Sequence, residues 1–96
     1  MSKEADAILN EKIVKHVFGW EVTYGLGTPD YCNDMAAAMS ILVRLSLESA
    51  PKLYWSQLDL AWCCEIVGEN GKYAQACSTS ICWAIVKAAL RFKDAM

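Results

Sequence analysis

Catalysis or metal binding in this 96-residue chain would draw first on one histidine, five cysteines and a few carboxylates. His16 could pair with a cysteine as a nucleophilic dyad. It falls late in a helical segment, however, where a surface or capping histidine is the plainer reading. Asp30, Asp34, Asp59 and Glu65 could supply an acid–base pair. Asp34 is better explained by a helix start, and Asp59 by a turn. Glu65 stands apart, because it lies inside a strand pattern between Cys64 and Ile66. On the face with Cys63 and Val67 it meets either solvent or a specific polar partner. The cysteines are odd in number and lack a Cys-x-x-Cys pair. Cys63 and Cys64 are adjacent, so a strand sends them to opposite faces. Cys77 ends a strand and Cys82 enters a helix. All five read as small buried hydrophobes in a reducing compartment. A zinc site needs several ligands at compatible local spacing, which this scatter lacks. The expectation is therefore no metal, no cofactor and no assigned catalytic residue.

Binding fits the residue types better. Trp20, Tyr24, Tyr31, Trp55, Trp62 and Trp83 are many for so short a chain. Aromatics anchor interfaces and stack on bases, although at least half are expected in the core. The loop over 20–32 carries Gly25, Gly27 and Pro29 beside Tyr24, Asp30 and Tyr31. Ser78-Thr79-Ser80 opens a helix and could hold a phosphate on backbone N–H groups, with simple capping as the alternative. The candidate ligand-binding residues are thus Tyr24, Asp30, Tyr31, Trp55, Ser78, Thr79 and Ser80.

The elements that must position them follow from periodicity. Ala5, Leu9, Ile13 and Val17 recur at helical spacing over residues 2–18, with Ser2 as N-cap and Gly19 as C′. Trp20 is expected to fold back onto the core. Residues 33–48 form a second helix, capped by Asn33, with Asp34 complementing the dipole. Met35, Met39, Ile41, Leu42, Val43 and Leu45 lie nearly all round it. Such a helix is buried on more than one side, either deep in the domain or against another molecule. Pro51 stops any continuation. A strand is expected over 52–60, with a turn near Asp59. Trp62, Cys64 and Ile66 alternate on a second strand. Asn70-Gly71 supplies a tight hairpin turn, and 73–77 returns. A last helix runs through Trp83, Val86 and Leu90. The sum is a single α+β domain in the order α-loop-α-β-β-β-α. The three strands are expected to form an antiparallel meander whose faces the apolar helices cover.

Bulk properties narrow the partners. The net charge is −2 and no basic stripe is visible, which disfavours nucleic acid. Lys87, Arg91 and Lys93 suit a helix C-terminal end. No apolar run reaches the ~18 residues of a membrane span, and the charged start lacks a signal-peptide core. The expected location is cytoplasmic. At 55% hydrophobic, the chain has more apolar surface than a small interior readily hides, which points to a homo-oligomer, with a well-filled monomer as the alternative.

Gly19-Trp20 is followed by Tyr31-Cys32-Asn33-Asp34-Met35-Ala36-Ala37-Ala38. This resembles the Tyr-Ser-Thr-Asp-Ile-Ala-Ala-Ala pattern of the phage ABA sandwich domain family. Residues 62–64, 74–76 and 78–90 resemble its closing strands and Ala-rich helix, so the likeness spans about 9–90. Cys32-Asn33 departs from the usual Ser-Thr, and Ser80-Ile81 from a common Pro-Leu. The resemblance implies a small bacteriophage or prophage protein with an α-β-α sandwich. The family has no defining activity and no catalytic residues to carry over. It further implies an accessory product in the host cytoplasm: a non-enzymatic antagonist that sequesters a nucleotide signal or binds a host defence protein. The alternatives are an assembly subunit without ligand, or a small hydrolase-type enzyme using Cys, His or Glu. The helix–meander–helix order also matches double-stranded RNA-binding domains. Their basic helix start is replaced here by Ser78-Thr79-Ser80-Ile81-Cys82-Trp83.

Overall fold

The alternation of residues 61–68 organises the molecule. The computed structural model describes residues 3–19 and 28–95. Strand β2 (Ala61–Gly68) lies between β1 (Ser49–Ser56) and β3 (Tyr73–Ser78) in an antiparallel meander. Helix α1 (Lys3–Ile13) widens into a π-helical turn over Val14–Phe18, and α2 (Met35–Leu45) precedes the sheet. Helix α3 (Ile81–Phe92) closes the chain. The order and the α+β class are those expected from the sequence.

Core residues of all three helices join Cys64, Ile66, Ala74 and Ala76 in one cluster. These strand residues share one face of the sheet. The helices therefore cover that face, and no described element covers the other. Helix α3 is the centre of the core. Nine of its twelve residues are buried, and Ala84, Ala88 and Ala89 let it approach its neighbours closely. A helix apolar on so many sides has to lie between layers. Fully burying side chains such as Ile85 and Leu90 stabilises the fold by about 1.5–3 kcal/mol each.

Local rules set the ends of the elements. Gly19 takes φ 72° as the left-handed cap, its N–H donating to the Val14 carbonyl. The cap of α2 is Asp34 rather than Asn33: its side chain accepts from the N–H groups of Ala36 and Ala37. Asn33 is occupied elsewhere. Its Nδ2 donates to Asp6 Oδ2 at 3.0 Å and to both carboxylate oxygens of Asp30 at 3.1 Å. The half-in geometry needs a side chain directly before the first helical residue, and Asp34 holds that place. Strand β1 begins earlier than expected and includes Pro51, which an edge strand tolerates.

Three further expectations change. The hairpin is not a two-residue turn. A 3-10 turn spans Glu69–Gly71, with Lys72 N–H donating to the Glu69 carbonyl and φ 78° at Gly71. Cys63 and Cys77 are joined in a disulfide, so they are not free thiols. The register places them directly opposite each other on the uncovered face. Helix α2 is buried on one side alone: Ala38, Ile41 and Leu45 are fully buried, whereas Met35, Met39 and Val43 are exposed. Trp20 lies outside the described residues, as does Ser2.

Gly68 and Phe92 lock the hairpin end to α3. A Cβ at Gly68 would sit 2.6 Å from Phe92 Cζ, and that ring is buried. Lys72 and Lys93 flank the same ring at 4.9 and 6.0 Å. Gly68→Ala is expected to cost about 1–3 kcal/mol by overpacking, read as a lower urea midpoint. An unchanged midpoint would contradict this packing.

Candidate functional site

The candidate residues divide into three groups. Tyr24 lies outside the described residues. Tyr31 is core, 1% exposed, and stacks on Phe18 with centroids 5.8 Å apart. Burial raises its hydroxyl pKa. Asp30 beside it accepts from Asn10 Nδ2 at 3.2 Å, and Asn10 Oδ1 in turn accepts from the Cys32 N–H. This polar staple ties α1 to the turn before α2. A shallow recess of about 260 Å³ between Asp6, Asn10, Asp30 and Asn33 lies on it.

The second group is the start of α3. Ser80 Oγ accepts from the Trp83 N–H at 3.4 Å, and Ser78 Oγ accepts from the Ser80 N–H at 3.2 Å. Both serines therefore serve the backbone locally, and Thr79 is exposed. The third is Trp55, half exposed on the edge strand. It packs edge-on against Trp62 at 5.5 Å, and its Nε1 donates to Gln57. Pairing places Trp55, Trp62 and Ser78 in one row across the sheet. Burial first, then the charge of Asp34, raises the pKa of Cys82 in the first turn of α3.

The free thiols are poorly placed for nucleophilic work. Cys32, Cys64 and Cys82 are all buried. Burial first, and then Asp6 and Asp30, push Cys32 up to about 12. Burial and Glu65 push Cys64 up to about 12 as well. Near neutral pH both stay protonated, and the thiolate is the reactive form. His16 is exposed on the π-helical turn. Alkylation by iodoacetamide at pH 8 should leave Cys32 and Cys64 unmodified in the native chain and modify them in urea. Rapid native labelling at either position, read by mass spectrometry, would contradict their placement.

The uncovered sheet face holds the specific contact that the position of Glu65 foreshadowed. Tyr54 OH donates to Glu65 Oε1 at 2.9 Å. Gln75 Nε2 donates to Tyr54 OH at 2.8 Å and to Glu65 Oε1 at 3.4 Å. Glu65 and Gln75 are direct partners across β2 and β3, and Tyr54, which stands opposite Cys63 on β1, reaches them diagonally. The bond to Glu65 raises the Tyr54 pKa above its ordinary 10.0. Tyr73 is raised too, by desolvation first and Glu65 second. Folded Tyr54 thus holds its proton more firmly than the unfolded chain does. That contribution is complete below the unfolded tyrosine range and is lost as pH rises through the folded pKa. Glu65→Gln should move phenolate formation to lower pH in an ultraviolet titration. An unmoved curve would contradict the network.

At one end of this face Asp59 Oδ2 lies 4.0 Å from Cys63 Sγ, beside the disulfide. Spacing rules missed this pair because 14 residues separate its cysteines. The opposite side of the molecule shows a different surface. Met35, Met39 and Val43 follow at intervals of four along α2, and Leu47 extends them past its end. They are between 41% and 77% exposed. Intervals of four make one slanted ridge, here turned away from buried Ala38, Ile41 and Leu45. Leu47 also borders a groove of about 280 Å³ with His16, Arg44, Glu48 and Lys93.

No family model, curated protein or solved structure matches the chain. No helix among the described residues is long and apolar enough to cross a membrane.

Proposed function

We propose that the chain is a non-enzymatic binding protein that assembles with copies of itself through the outer ridge of α2. The ridge of Met35, Met39, Val43 and Leu47 carries this reading. It runs about 18 Å, at 1.5 Å of rise per residue. No charged residue interrupts its row, so nothing in it demands a partner of opposite charge. A two-fold axis would bring the ridge against its own copy, where the same apolar side chains meet. Large apolar residues grouped on a surface mark contact sites. The buried, protonated thiols favour binding over cysteine chemistry.

The resemblance to the phage ABA sandwich family extends the reading. The assembled protein would act in a host cytoplasm as a sequestering antagonist of a defence system, with a host protein or nucleotide signal as its target.

Native mass spectrometry and sedimentation of the full chain are expected to show a closed oligomer. Val43→Asp with Leu47→Asp should return it to a single chain with unchanged circular dichroism, since both sites are exposed. A monomeric wild type, or an oligomer that survives both substitutions, would sink the proposal.

A further inference from the structure

Asp59, Cys63 and Cys77 converge at one end of the open sheet face. Their carboxylate and sulfur atoms all lie within 4.8 Å of one another. Different elements supply the three. Cys63 and Cys77 are direct partners across β2 and β3, with Cα atoms 4.1 Å apart. Asp59 comes from the turn between β1 and β2. Its carboxylate is held by Ser56 through the same Oδ2 that faces Cys63. The Ser56 hydroxyl donates to Asp59 Oδ2 at 2.8 Å and accepts from the Asp59 N–H at 3.2 Å. Hydrogen bonds of this kind orient a metal-ligating carboxylate.

A disulfide sulfur carries neither a proton nor a charge, and among the described residues no ion pair involves the Asp59 carboxylate beside it. Reduction changes the chemistry of the cluster. Two thiolates and one carboxylate suit a borderline-soft divalent cation better than calcium or magnesium. Tetrahedral zinc takes such ligands, with Zn–S near ~2.3 Å and the sulfurs about 3.8 Å apart. The Cβ atoms of a disulfide-bonded pair are about 3.5–4.5 Å apart, and side-chain rotation after reduction allows the sulfurs that separation. Asp59 is exposed and Cys77 partly so, which lets water complete the fourth position.

We propose that the reduced chain binds one zinc-class cation through Cys63 Sγ, Cys77 Sγ and the Asp59 carboxylate, and that disulfide and metal are alternative occupants of the same place. A dithiol reductant supplies two electrons and two protons. The Cys63–Cys77 bond breaks to two thiols while the reductant closes its own disulfide. Metal binding then displaces both thiol protons to solvent. Cys64 points to the other face of β2 and takes no part. The assignment is independent of the α2 ridge.

The test uses the full chain, reduced with a dithiol and freed of it without air. Zinc is titrated against a chromophoric chelator, and cobalt(II) reports thiolate ligation by its charge-transfer band. Reduced wild type should bind one equivalent and show the band, and the oxidised chain should bind none at this site. Asp59→Asn lies in an exposed turn and should weaken zinc at least tenfold without unfolding. Cys77→Ser should abolish the cobalt band. The proposal fails if reduced wild type binds no stoichiometric zinc, if the oxidised chain binds equally well, or if Asp59→Asn binds as wild type does.

Discussion

The structure depends on the two-residue alternation of β2. Trp62, Cys64 and Ile66 face the helices, while Cys63, Glu65 and Val67 face away. A slip of one residue would exchange these sets and put a carboxylate into the apolar core. Burying an unpaired carboxylate costs far more than any single contact returns. The register of the whole meander is thereby fixed, and with it the Glu65–Gln75 pair that Tyr54 reaches diagonally. That cluster satisfies Glu65 on the open face, where its charge keeps access to water.

With one face apolar and the other polar, the helices have a single side on which to gather. Helix α3 takes the position against the sheet because its small residues permit close approach on several sides. Helix α2 then packs as an outer element, through Ala38, Ile41 and Leu45. No described element covers its Met35, Met39 and Val43. Exposed apolar side chains also occur elsewhere, at Ile8 on α1, at Leu58 and Leu60 in the turn after β1, and at Trp55, Val67 and Tyr73 on the sheet. Met35, Met39, Val43 and Leu47 are the ones that line up in a single ridge, and the proposed binding role rests on that alignment.

Sequence reading recovers the elements that obey local rules. Helical spacing ahead of Gly19, the Gly19 cap, the apolar face of β2 and the opening of α3 within Ser78–Ser80 are all set within a few residues. It also isolates Glu65, since a charged residue inside a strand needs a reason. It falters where one residue of register decides the outcome. A two-residue turn at Asn70-Gly71 would pair Glu69 with Lys72 and, counting back, Cys64 with Cys77. The wider turn moves the pairing to Cys63 and Cys77. The disulfide and the Asp59 cluster follow from that shift, so local spacing could not expose them. Helix α2 shows another limit. Its composition suits burial all round, and only its position outside α3 decides which side stays open.

The central claim is that the α2 ridge is a contact surface. Hydrogen–deuterium exchange of the full chain, followed from low to high concentration, addresses it most directly. The account predicts that slowed exchange appears within residues 35–47 as concentration rises, while the sheet stays unchanged. Concentration-independent exchange throughout, or new protection confined to the sheet face of Tyr54, Glu65 and Gln75, would contradict it.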